Sequence, residues 1–141
     1  MNPAEEPILP SGVCTLPQLF AWRVGVTPDA EAYRQFDAGR GVWASTTWAE
    51  AGEHVAHRIA ALARLDIPPG SRIAILLQNG LDAVWIDQAT LALACVPVPL
   101  HAIDNPASIA YILADSDASV LVATSDVQWR AIARSEEHTS E

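Results

Sequence analysis

The chain has 141 residues, of which 50% are hydrophobic and 18% charged, with a mean hydropathy of +0.17. That composition excludes a disordered tail and suits one ordinary domain with a core. Lys+Arg number 8 against 17 Asp+Glu, a net charge of −9, so a nucleic-acid backbone or an anionic membrane surface would repel the chain.

Residues 1–13 read as a flexible leader, because Pro3, Pro7 and Pro10 interrupt regular pairing. The leader lacks the basic and apolar regions of a signal peptide. A short helix is expected from about Leu16 to Val24, ended by Thr27-Pro28-Asp29. Ala30–Phe36 and Val42–Ser45 then read as two strands of a hairpin around Asp37-Ala38-Gly39-Arg40-Gly41, with Tyr33 and Phe36 on a hairpin face. Thr47-Trp48-Ala49-Glu50 has the capping-box pattern, in which hydroxyl and carboxylate satisfy each other's backbone N–H groups. The helix it opens is expected to reach about Leu65, with Ala51, Val55, Ile59 and Leu62 as its inward stripe.

Arg72–Leu77 is a continuous apolar run between turn residues, which fits a strand buried on both faces. Gln78-Asn79-Gly80 is the turn after it. Leu81–Ala94 is a helix apolar nearly all round, hence buried on most sides. Val96–Leu100 is a short strand whose Pro97 and Pro99 place it near an edge or a strand end. Asn105-Pro106 starts a helix with Ile109, Ile112 and Leu113 inward, and Asp115-Ser116-Asp117 ends it. Ser119–Ala123 is expected as another buried strand, and Ser125-Asp126-Val127-Gln128 as a second capping box opening a helix through about Ala133. The order from Thr47 is α-β-α-β-α-β-α. The fold class is therefore α/β: a parallel sheet with right-handed crossovers, preceded by a helix and a β-hairpin. The last eight residues, Arg134–Glu141, break the apolar pattern and read as a translation of common sequencing-adapter DNA. The expectation is a non-native tail on a natural chain interrupted near Ala133.

Cys14 and Cys95 lie far apart and outside any CxxC pair, so a reducing cytoplasm is expected, with Cys95 a buried small hydrophobe. The longest apolar stretch, Ala89–Leu100, is too short to span a bilayer.

Candidate chemistry is sparse. There is no GxxxxGK[ST] and no GxGxxG after a strand. Gln78-Asn79-Gly80 stands where open α/β sheets bind ligands, but a plain turn with a helix start explains it as well. His101 and Asp104 could form an acid–base pair, yet no nucleophile lies nearby in sequence. The competing reading has Asp104 and Asn105 capping the helix and His101 at the surface. Glu50, His54 and His57 share one helix face at metal-ligand spacing, but a solvated polar face accounts for them equally. Trp22, Trp43, Trp48, Trp85 and Trp129 could stack on a base; Trp48 and Trp85 lie on apolar helix faces and read as core.

Several segments together resemble the opening of AMP-forming acyl-CoA synthetases, members of the adenylate-forming superfamily. They are Thr15–Phe20, Thr27–Ala30, Thr47–Glu50, Ile67–Ile75, Leu91–Leu100, Asp104–Pro106 and Ile109–Asp115. Thr47–Glu50 matches the first core motif of that family and Leu91–Asp104 the second. The stretch Tyr33-Arg34-Gln35-Phe36 and the Asp104-Asn105-Pro106 loop are most similar to long-chain fatty acid–CoA ligases. Asp66 and Ala94 depart from the pattern, standing where glycine is common. Glycine at a helix C-terminus accepts positive φ, and aspartate tolerates it less well.

The resemblance implies residues 14–133 as a partial N-terminal domain of a larger enzyme. It implies a reaction in which a fatty acid attacks the α-phosphate of ATP with Mg²⁺, after which CoA displaces AMP. It also implies that the remainder of the polypeptide is the missing packing partner and that the full-length enzyme is cytoplasmic or peripheral to the membrane. The family's lysine-bearing phosphate loop, acidic ATP/Mg²⁺ site, ribose-binding aspartate and C-terminal lysine have no matching position here. No catalytic, cofactor-binding or metal-binding residue is carried over. Independently, the 8 basic residues are all Arg, with no lysine in the chain. Phosphoryl chemistry needs preorganised positive charge and backbone donors. The expectation is a fragment inactive alone; the alternative is a free-standing doubly wound module that binds a small ligand through the loops at Asn79 and Asp104.

Overall fold

The computed structural model describes residues 9–137, so most of the expected leader (1–8) and the final four residues of the expected tail lie outside the described residues. The elements are α1 (Leu16–Val26), β1 (Glu31–Asp37), β2 (Val42–Thr47), α2 (Trp48–Ala63), β3 (Arg72–Leu76), α3 (Leu81–Ala92), β4 (Val96–Pro99), α4 (Pro106–Asp115), β5 (Ala118–Ala123) and α5 (Asp126–Glu137). The α/β order expected from Thr47 onward is the order found.

Two helices begin with reciprocal capping boxes. Thr47 Oγ1 accepts the Glu50 N–H at 3.2 Å while Glu50 Oε2 accepts the Thr47 N–H at 2.8 Å. Thr15 and Gln18 do the same for α1, a box the sequence reading did not name. The box expected at Ser125 is shifted: Gln128 Oε1 accepts from Thr124 N–H at 3.0 Å, one residue earlier. The final helix also runs past Ala133 to Glu137, through half of the expected tail.

β1 and β2 pair antiparallel as a separate hairpin, with an irregularity at Ala32. Tyr33 and Phe36, expected together, take opposite faces because they stand three positions apart on a strand of period two. Tyr33 packs edge-on against Trp85, whereas Phe36 is exposed and meets Trp43.

The second sheet is parallel, in the order β4-β3-β5. Central β3 is buried from Ile73 through Leu76, as its unbroken apolar run requires. Alternation sends Ile73 into a core with Ala51, Val55 and Leu62 of α2 and Trp85 and Ala89 of α3. Ala74 and Leu76 face the opposite core, with Leu100, Ile109 and Ala110 of α4 and Ile132 of α5. Each such buried Ile or Leu stabilises the fold by roughly 1.5–3 kcal/mol. Ile59 of the expected stripe is only half-buried. β4 is an edge strand, as its prolines require; Val96 N–H donates to Ser71 O at 2.8 Å and Leu100 N–H to Ile75 O at 3.0 Å. β5 is half-buried, because its far edge has no partner strand among the described residues. No helix among the described residues is long and apolar enough to cross a membrane.

Candidate functional site

β3 leads into α3 on one face of the sheet, while β4 and β5 lead into α4 and α5 on the other. Chains leaving adjacent strands in opposite directions open a crevice at the carboxyl ends, where open α/β sheets bind ligands. The loops expected to matter, at Asn79 and at His101–Asn105, both lie there.

At the first loop the N-terminus of α3 is already occupied. Gly80 has no side chain to cap it, and the Leu81 N–H donates to Gln35 Oε1 at 2.7 Å. Gln35 shares the strand face of Tyr33, and the Tyr33–Trp85 contact brings that face onto α3. Sequence reasoning missed this cap, since the two residues are 46 positions apart.

At the second loop Asn105 alone supplies the side-chain cap: its Oδ1 accepts from Ser108 N–H at 2.9 Å. Asp104, expected to share that role, instead lines a cavity of about 120 Å³ with Leu76, Ala102, Pro106, Ile109 and Gln128. His101 is exposed and joins Asp104 through the backbone, Asp104 N–H to His101 O at 3.0 Å. The loop therefore holds a structural turn rather than an acid–base pair.

The polar face of α2 is divided among separate tasks. The Glu50 carboxylate is held below the usual range by the Thr47 backbone N–H and belongs to the capping box. His54 lies flat on Trp85, with ring centroids 5.4 Å apart and an interplanar angle of 8°. His57 is exposed. No group of three or more His, Cys, Asp or Glu residues among the described ones is placed to hold a metal ion. Cys95 is buried and Cys14 exposed, and both are free thiols.

Trp85 is core, as expected. Trp48 is half-buried between Phe20 and Tyr33, with the Arg23 guanidinium 5.8 Å from its ring centroid. Trp43 is 64% exposed and Trp129 49% exposed. A concavity of about 510 Å³ runs between α1 and α2 along Phe20, Val24, Gly52, Val55 and Ile59 to Gln88 of α3. The Gln88 Oε1 there is buried without a hydrogen-bond partner among the described residues.

These residues do not fit a nucleotide triphosphate. One N–H at the N-terminus of each of α3 and α4 is taken by a side chain, Leu81 by Gln35 and Ser108 by Asn105. Arg58 is paired with Asp82 in the first turn of α3 at 3.3 Å, and Arg130 with Asp126 in the first turn of α5 at 2.6 Å. The crevice cavity is also well below the roughly 300 Å³ at which ligand pockets begin.

The comparisons with known proteins agree with the fold. A family model described as AMP-binding enzyme matches residues 20–141. The long-chain-fatty-acid–CoA ligases FadD15 of Mycobacterium bovis and Mycobacterium tuberculosis are each 31% identical over 99 residues, 70% of this chain and 16% of theirs. Among solved structures, an artificially fused adenylation–PCP di-domain, NpsA-ThdA from Klebsiella oxytoca, superposes with a TM-score of 0.72 at 20% identity, over 80% of this chain and 20% of that one. O-succinylbenzoate coenzyme A synthetase (MenE) from Bacillus subtilis, in complex with AMP, gives 0.68 at 25% identity, over 76% and 26%. The chain thus spans about one sixth of the length of the curated relatives it matches. With the family model covering the chain from within α1 onward and the α/β architecture shared, the chain belongs to the AMP-binding enzyme family.

Proposed function

We propose that this chain is the N-terminal portion of an ATP-dependent, AMP-forming acyl-CoA synthetase whose parent acts on a long-chain fatty acid, and that residues 14–133 are scaffold without activity of their own. The family match over residues 20–141 carries the reading. The likeness to FadD15 supports a fatty acid as the carboxylate and CoA as the acceptor. ATP and Mg²⁺ would be held by the rest of the parent chain, because the residues here offer no triphosphate cradle. The apolar groove between α1 and α2 and the exposed Val127 and Trp129 of α5 are surfaces for that remainder to cover.

The test is pyrophosphate release from ATP plus a long-chain fatty acid. The isolated chain should release none, and a version extended by the coding sequence that follows it should release it. Turnover by the isolated chain would overturn the proposal. A rise in melting temperature of this chain with ATP or fatty acid would instead favour the free-standing binding module.

A further inference from the structure

We draw no further inference here: the strongest candidate, the apolar groove between α1 and α2 lined in part by Gln88, whose buried Oε1 has no hydrogen-bond partner among the described residues, belongs with the surfaces already left to the rest of the parent chain, and nothing in the structure shows what covers it.

Discussion

Three helices end on a residue in the left-handed region that is not glycine. Asp66, Ala94 and Asp117 have φ of 51°, 55° and 52° and follow α2, α3 and α4. An L-residue there costs roughly 1–2 kcal/mol, because Cβ crowds the following carbonyl. Glycine removes that cost but adds roughly 0.4–1 kcal/mol of unfolded-chain freedom. Ala94→Gly should therefore stabilise the fold by about 1 kcal/mol, since the Ala94 side chain is exposed and little packing is lost. Aspartate visits this region more readily, so Asp66→Gly and Asp117→Gly should give about half as much each. Together the three amount to about 2 kcal/mol, or about 8 °C in melting temperature at roughly 4 °C per kcal/mol for a chain this long. Thermal melts by circular dichroism, with urea titrations at matched concentration, measure it. Gly25→Ala is the control of opposite sense: it lies inside α1 with open space around it, so alanine should stabilise there. If Ala94→Gly lowers the melting temperature while Gly25→Ala raises it, glycine's entropy outweighs the left-handed strain and the reasoning is wrong.

Gln35→Ala should cost about 1 kcal/mol by uncapping α3, and Gly80→Ser should recover most of it by supplying a local cap, read as a double-mutant cycle in urea. Gly52→Ala should destabilise despite its better helix propensity, by about 1 kcal/mol net, because the new Cβ would sit 2.9 Å from Val24 Cγ1. Val24→Ala in the same chain should abolish that penalty, and no coupling between the two would count against the close packing of α1 on α2. Burial holds the Asp87 carboxyl above the usual range, so the native state binds its proton more tightly than the unfolded chain does. Stability from this group is then highest below the unfolded value of about 3.9 and falls as pH rises through the raised native value. Asp87→Asn should raise the melting temperature at about pH 7 and leave it unchanged at about pH 3; equal gains at both would refute the assignment.

Local signals carried most of the fold. The Thr47–Glu50 box, the Asn105-Pro106 start and the unbroken run at Ile73–Leu76 each state their structure within a few residues, and each is found. The positive φ expected at Asp66 is found, and Ala94, where the resemblance also has glycine, takes it too. What sequence could not supply was contact at a distance. Gln35 caps a helix 46 residues away only because a hairpin folds Tyr33 onto Trp85. No periodicity within either segment encodes that meeting. The half-burial of β5 was illegible for a related reason: an apolar strand reads the same whether or not a neighbour lies on each side.

The distribution of satisfied groups says more about function than any one residue does. In an α/β sheet that binds phosphate, helix N-termini at the carboxyl edge are left open for the ligand. Here a glutamine takes the first N–H of α3 and an asparagine the Ser108 N–H of α4. Meanwhile the surfaces left unfinished are apolar or main-chain: the groove along Phe20 and Ile59, the open edge of β5, and the Trp129 face. A ligand-binding module would close its packing surfaces and keep its polar sites open. This chain does the reverse, which supports the proposal that it is scaffold rather than a free-standing binding module.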